Sequence, residues 1–377
     1  MKLLHLANSL STNIGNGALI LGTERVLDED LGPIEWLREP WDDYTFERRK
    51  FDDTFVEKVN ATDGLLVGAA VAINGRPYLA NGGMRLDLPP PLWAKVRKPI
   101  IVYGISYRHW PGQPFHHLEK LRETVRVLLD RPDCFFSVRN DGTKQWLEEL
   151  LGISDERIRE VPDPAIYVPK SQVEAAELEP GRPNIIFAPN GEDSDLRFGS
   201  RGNASEYRQR ILGAVARVLT SVVERTNANI ILVPHYLDDY GMISELWPML
   251  PPRIAHQNTV STGLRRIGST EEFYGLYAGA DVAISMRVHS MSPSIGLGVP
   301  MVPLVTQDRM RAFLSRASLE DFVVDAFSDD LEEQLLSLTL GCLEKPDFVR
   351  GHFKRTMTRF REESRESHQQ IRKTLGV

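Results

Sequence analysis

The segment Met286-Arg-Val-His-Ser290 places a guanidinium, an imidazole and a hydroxyl side by side. The apolar run before it, residues 280–285, reads as a short buried strand that ends at these groups. Leu297-Gly-Val-Pro-Met-Val-Pro-Leu304 supplies a second short strand one helix later. In open parallel α/β sheets, ligands bind outside the carboxyl ends of the strands. Arginine beside histidine at such an edge suits an anion that is held while a proton moves. Arg287 is the candidate anion holder and His289 the candidate proton carrier. A helix opening at His289-Ser290 would add backbone N–H groups and a favourable dipole, which brings Ser290 into the anion site.

Those residues need strands and helices to position them, and the pattern supplies both. Short apolar runs at 2–6, 65–67, 100–103 and 134–138 read as strands. The stretches 17–27, 118–129 and 142–151 between them read as helices. The alternation points to parallel βαβ units. A second series follows, with strands predicted at 184–188, 229–233, 281–285 and 300–304. Ile211, Leu212, Val215, Val218, Leu219 and Val222 mark one face of a long helix between the first two of these. Ser269-Thr-Glu-Glu272 reads as a capping box opening a helix over 273–278. Helices are also expected from Asp308 and, in the charged C-terminal segment, from about residue 329. Residues 168–183 are polar and proline-bearing, without apolar periodicity. The expected organisation is an N-terminal domain over 1–170, a linker over 171–183, a C-terminal domain over 184–345 and a helical segment over 346–377. The fold class is α/β: two Rossmann-like domains facing across a cleft, the GT-B-like architecture of many glycosyltransferases.

Composition narrows the functional classes. The chain has 377 residues, 42% hydrophobic and 26% charged, as a soluble globular enzyme would. A net charge of -7 gives it no bulk attraction to nucleic acid or anionic membranes, so an anion site must be a local cluster of cations. Cys134 and Cys342 have no zinc spacing and no disulfide framework. The N-terminus turns polar too early for a signal peptide, and no apolar run is long enough to span a membrane. A cytoplasmic protein is expected, with peripheral contact at the inner face of a membrane and homo-oligomerisation left open.

Four segments carry a resemblance to a known family. They are Asn13-Ile-Gly-Asn-Gly-Ala-Leu-Ile20; Phe136-Ser-Val-Arg-Asn140 with Leu147-Glu-Glu-Leu-Leu-Gly152 and Val161-Pro-Asp-Pro164; Met286-Arg-Val-His-Ser290 with Gly298-Val-Pro300; and Asp308-Arg-Met-Arg-Ala-Phe-Leu314 with Leu319-Glu-Asp-Phe322. In order and spacing the chain resembles the polysaccharide pyruvyltransferase family. The resemblance implies phosphoenolpyruvate as donor and a sugar of a cell-surface polysaccharide, or of its lipid-linked precursor, as acceptor. The product would be a pyruvate ketal, with phosphate released. It carries over a donor set of Arg139, the Arg287/His289 pair and Arg309, with Arg139 reaching in from the N-terminal domain. Asn16 stands where many members have aspartate, and Arg309 where many have lysine. The latter keeps the charge but offers a planar fork.

Phosphoenolpyruvate carries a carboxylate and a phosphate, so several cations must meet at one place. Ketal formation needs a proton on the methylene carbon and removal of hydroxyl protons, work suited to His289. Arg139 and His289 are the catalytic candidates, and Arg139, Arg287, His289, Ser290 and Arg309 the donor-binding ones. The acceptor is expected against the N-terminal domain and the loop 190–198. Asn13, Gly15, Asn16, Asn190, His235 and Asp238 are the candidate contacts, and Asp163 a candidate for stabilising positive charge at carbon. No metal and no cofactor are expected. Two other functions fit the same pattern: a GT-B glycosyltransferase using a sugar nucleotide, and a non-catalytic glycan-binding relative.

Overall fold

A computed structural model describes residues 1–170, 175–199 and 202–377. Residues 171–174, the start of the expected linker, lie outside the described residues; 175–183 contain no helix or strand. The chain divides into two compact units. The first comprises Met1–Ser11, Leu19–Tyr167 and Arg359–Val377; the second comprises Thr12–Ala18 and Val168–Thr358.

The first unit is built on β1 (Lys2–Ala7), β2 (Glu35–Pro40), β3 (Gly64–Val67), β4 (Val71–Ile73), β5 (Ile100–Tyr107), β6 (Cys134–Arg139) and β7 (Ile158–Val161). Six of these run in the order β2-β1-β3-β5-β6-β7, and β4 pairs with the end of β5. All pairings are parallel. Strands covered on both faces must be apolar throughout, which is why β3 and β5 were legible in the sequence. β2 was not: it is an edge strand, Glu-Trp-Leu-Arg-Glu-Pro, with only one residue buried. Gly104 in β5 sits at φ +58°, where the register against β6 shifts. A side chain there would be strained, and its N–H turns to the Ser137 hydroxyl at 3.0 Å.

The second unit is built on β8 (Asn184–Ala188), β9 (Asn229–Leu232), β10 (Thr259–Ser261), β11 (Val282–Ser285), β12 (Met301–Val305) and β13 (Val324–Asp325). Their order is β10-β9-β8-β11-β12-β13, again all parallel. This is the doubly wound Rossmann order. The predicted long helix is Ala204–Thr226, capped by the Asn203 side chain at the N–H groups of Ser205 and Glu206. Its six predicted core residues are fully buried. At ~1.5–3 kcal/mol each, that face is what fixes the helix to the sheet. The capping-box expectation at Ser269 fails. The helix begins at Thr270, and the Ser269 side chain makes no capping bond. The Thr270 hydroxyl instead donates to the Ile267 carbonyl at 2.6 Å, closing a short 3-10 turn, Ile267–Ser269, ahead of the helix.

Within the first unit, the residues of the C-terminal helix Pro346–Leu375 from Arg359 onward are anchored by a part-buried polar cluster. Asp30 accepts two bonds from Arg361, at 2.5 and 2.6 Å, and pairs with His368 Nδ1 at 2.5 Å. His368 Nε2 meets the Tyr103 hydroxyl at 2.8 Å. Burial raises the Asp30 carboxyl, but the bonds from Arg361 and His368 outweigh it and hold the group below its usual range. Burial lowers the His368 imidazole, against the pull of Asp30. Both shifts have the same sign for stability. The native state binds these protons later than the unfolded chain, so the stabilisation is complete above pH ~6.5 and is lost as pH falls through the lowered folded values. Asp30→Ala should cost about 2 kcal/mol at pH 7 and weaken the acid dependence, measured by urea denaturation between pH 7 and pH 4. An unchanged acid slope would remove Asp30 as the anchor.

Candidate active site

The second sheet changes direction at β8. The chain proceeds to β9 and β10 on one side, then returns to β11, β12 and β13 on the other. The loops leaving β8 and β11 therefore diverge at a topological switch point, where ligands bind in open α/β sheets. Asn190 fastens these two loops together. Its Nδ2 donates to the Met286 carbonyl at 3.2 Å, and its Oδ1 accepts from Glu192 N at 3.2 Å.

Arg287 lies at this point but faces inward. It is 6% exposed. Its Nε donates to the Pro189 carbonyl at 3.1 Å, its Nη2 to Asp239 Oδ1 at 2.5 Å and its Nη1 to Glu192 at 3.4 Å. Burial works against the charge, and the Asp239 and Glu192 carboxylates outweigh it, holding the guanidinium above its ordinary value. Asp239 also accepts from the N–H groups of Gly191 at 2.9 Å, His235 at 2.9 Å and Tyr236 at 3.0 Å. One buried carboxylate thus ties together the loops after β8, β9 and β11. Arg287, expected from the sequence to hold an anionic ligand, has its charge met by two carboxylates and links the strand-end loops.

His289 stands differently. It lies in the first turn of the helix Val288–Leu297 and is partly exposed. The Tyr274 hydroxyl donates to its carbonyl at 2.7 Å. Gly15 lies directly on its imidazole: a Cβ built on Gly15 would fall 2.6 Å from Nδ1 and 2.7 Å from Cβ of His289. Only glycine permits that approach. The Thr12–Ala18 segment reaches this place because the Ile14 N–H donates to the His235 carbonyl at 3.1 Å. Asn13 begins the turn, its Oδ1 accepting from Gly15 N at 3.1 Å and its carbonyl from Asn16 N at 3.0 Å.

Ser290 and His235, expected from the sequence as ligand contacts, are interior groups. Both are 0% exposed. His235 Nε2 meets the Tyr277 hydroxyl at 2.7 Å, Tyr277 meets Ser290 Oγ at 3.0 Å, and Ser290 meets Ser285 Oγ at 2.6 Å. Burial above all, then the Arg287 charge, holds the His235 imidazole well below its usual value, so it is neutral at pH 7. This chain of hydroxyls fixes the helix Thr270–Ala278 against the turn that carries His289.

Asp238 is exposed, its carboxyl raised by burial and by the neighbouring Glu192 and Asp239 charges. Arg309 is half-buried in the first turn of the helix Asp308–Arg316, after β12. Its competitor Arg311 pairs with Asp325 at 2.5 Å. Arg139 belongs to the first unit, at the end of β6. It is 0% exposed, with Nη1 3.4 Å from Asp163 Oδ2. Asp163 also accepts from Ala165 N at 2.8 Å and so caps the turn Pro164–Tyr167. In this arrangement the Arg139 charge is met inside the unit by Asp163, which is an ion-pair partner and turn cap. Sequence reasoning missed Asp239, Tyr274 and Tyr277. Two adjacent aspartates at 238–239 hinted at a role, but only the fold shows which one turns inward.

Two parallel Rossmann-type sheets define the fold of the GT-B glycosyltransferases and related epimerases. Similar solved structures include a UDP-GlcNAc 2-epimerase from Methanocaldococcus jannaschii (TM-score 0.54, 12% identity, covering 92% of this chain and 93% of that one). The ADP-heptose lipopolysaccharide heptosyltransferase II of E. coli is also similar (TM-score 0.51, 13% identity, covering 92% and 100%). So is the Anabaena HepE protein in complex with UDP-glucose (TM-score 0.51, 12% identity, covering 100% and 99%). At such identities the likeness concerns the fold alone. No curated protein matches the sequence. Residues 13–308 match the family Polysaccharide pyruvyl transferase, and the chain belongs to that family. It is an enzyme family of polysaccharide biosynthesis. Among the described residues no helix is long and apolar enough to cross a membrane.

Proposed function

We propose that the protein transfers pyruvate from phosphoenolpyruvate to a sugar of a polysaccharide, or of its lipid-linked precursor, forming a ketal and releasing phosphate. The carrying observation is His289: a partly exposed imidazole at a helix start, beside the switch point of the second sheet, held in place by Gly15. The donor's charge is met by the N–H groups of that helix start and by Arg309, while Arg287 holds the loops.

In the reaction the methylene carbon gains a proton and one sugar hydroxyl adds to the neighbouring carbon. The C–O bond to phosphate breaks, and the second hydroxyl closes the ring. Of the two hydroxyl protons, one balances the proton given to carbon and the other leaves with phosphate. His289 is the group that moves a proton at this centre. The test is incubation with phosphoenolpyruvate and oligosaccharides containing β-galactose, β-mannosamine or glucuronate, following phosphate release and ketal mass. Turnover of a sugar nucleotide without turnover of phosphoenolpyruvate would overturn the reading.

Gly15→Ala gives a sharper check on geometry. The new methyl must displace the imidazole, so kcat should fall about 10- to 100-fold while the melting temperature changes little. Full turnover in this variant would detach Gly15 from the site.

A further inference from the structure

A cleft of about 300 Å³ opens within the first unit at the amino ends of β6 and β7. Its walls are the end of the helix Leu118–Leu129 with the turn to Pro132, the first residues of β6, Arg157 and Arg159, and the last turns of the C-terminal helix. Phe135 and Ile371 share one core cluster, which seats those turns on this face of the sheet. Gln370 and Thr374, four residues apart and so on one side of the helix, line the cleft. Arg159 pairs in register with Ser137, two residues after Phe135, so strand alternation turns it to the same face.

Three arginines line the cleft, Arg131, Arg157 and Arg159, against one acid, Asp130, whose side chain is 77% exposed. Two of the three are already committed. Arg131 donates to the carbonyls of Trp93, Val96 and Lys98 at 3.0, 3.1 and 3.4 Å and to Asp133 at 2.8 Å. Arg157 donates to Asp155 at 2.7 Å and to the Leu129 carbonyl. Asp133 and Asp155 meet these two charges, and the two side chains serve as walls. Arg159 differs. It is exposed and forms no hydrogen bond or ion pair among the described residues. The Gln370 side-chain amide makes no bond among them either.

An unpaired guanidinium fork matches an oxyanion, and a phosphate has acceptors left over for an amide and a hydroxyl. Leu129, Pro132, Cys134 and Phe135 give the cleft walls that a bare ion would not use, so an organic body belongs beside the anion. The volume is at the small end for ligand sites, which suits a monophosphate and not a nucleoside diphosphate sugar. We propose that this cleft binds a phosphate monoester of a small organic body, its phosphate held by Arg159 with Gln370 and Thr374. Sugar phosphates and nucleoside monophosphates share that chemistry.

Titration calorimetry of the full chain, without phosphoenolpyruvate, tests it with glucose 1-phosphate, uridine 5′-monophosphate and inorganic phosphate as probes. At least one ester should bind more tightly than inorganic phosphate, and the tighter ester tells sugar from nucleoside. Arg159→Gln should weaken that binding about tenfold or more, and Arg159→Lys, which keeps the charge and loses the fork, by less. Arg159 is exposed on an edge strand, so both variants should denature in urea as the parent does. Arg309→Ala, in the second unit, should leave the binding unchanged. Absence of ester binding, or parental affinity in Arg159→Gln, overturns the site. Inorganic phosphate binding as tightly as both esters overturns the organic ligand. Binding lost in Arg309→Ala and kept in Arg159→Gln moves the ester to the candidate active site and overturns the cleft. Ester binding that responds to Arg159, without turnover of phosphoenolpyruvate, supports the cleft and sinks the donor reading.

Discussion

His289→Ala should lower kcat by about 10²–10⁴-fold while the protein stays folded. The imidazole is partly exposed and begins a helix whose first turn is held elsewhere. The Tyr274 hydroxyl bonds the backbone carbonyl of residue 289, a contact that survives the substitution. The Ser290 hydroxyl remains tied to Tyr277 and Ser285. The variant thus removes the proposed proton carrier and leaves its support. Steady-state kinetics with phosphoenolpyruvate and an accepted oligosaccharide measure the loss. The limb of the pH–rate profile that belongs to an imidazole should vanish with it. A variant with parental kcat and an unaltered profile would remove His289 from the chemistry and leave the family membership intact.

Asp239→Ala should have the largest effect on stability, about 3–5 kcal/mol. Asp239 and Arg287 are both buried, and the carboxylate also satisfies three backbone N–H groups. Deleting it strands a guanidinium whose one remaining charged partner among the described residues is Glu192, at 3.4 Å. Asp239→Asn keeps one oxygen for the backbone donors and should cost less. Removing Arg287 as well, by Arg287→Met in the Asp239→Asn background, should recover part of the loss, because two absent charges cost less than one unpaired charge. Urea denaturation of the two single variants and the double variant measures this coupling. Additive effects would show that the pair does not act as a unit.

The strands and helices flanking the site were legible because their periodicities are strong. β8 falls at the predicted residues, and the buried face of Ala204–Thr226 is the predicted one. β2, β7, β10 and β13 were not predicted, being short or partly polar edge strands, and neither was β4, an apolar strand of three residues. Among candidate site residues, the place of His289 just after a buried strand was readable from the pattern. The direction in which Arg287 points was not, since a strand-end arginine turns to solvent or inward according to what acids the neighbouring loops present. Those acids, Glu192 and Asp239, lie 95 and 48 residues away in sequence.

Sequence alone determined that two series of parallel βαβ units exist, and that a guanidinium and an imidazole follow the strand predicted at 281–285. Local pattern suffices for this, because a buried strand must be apolar and a loop need not be. Tertiary structure decided what each group does. It brought Gly15 onto the imidazole of a residue far along the chain, and it turned Asp239 rather than Asp238 toward Arg287. The physical reason is that the use of a charged or polar side chain is set by which partner neutralises it once water is excluded. That partner comes from loops that only the folded sheet makes neighbours.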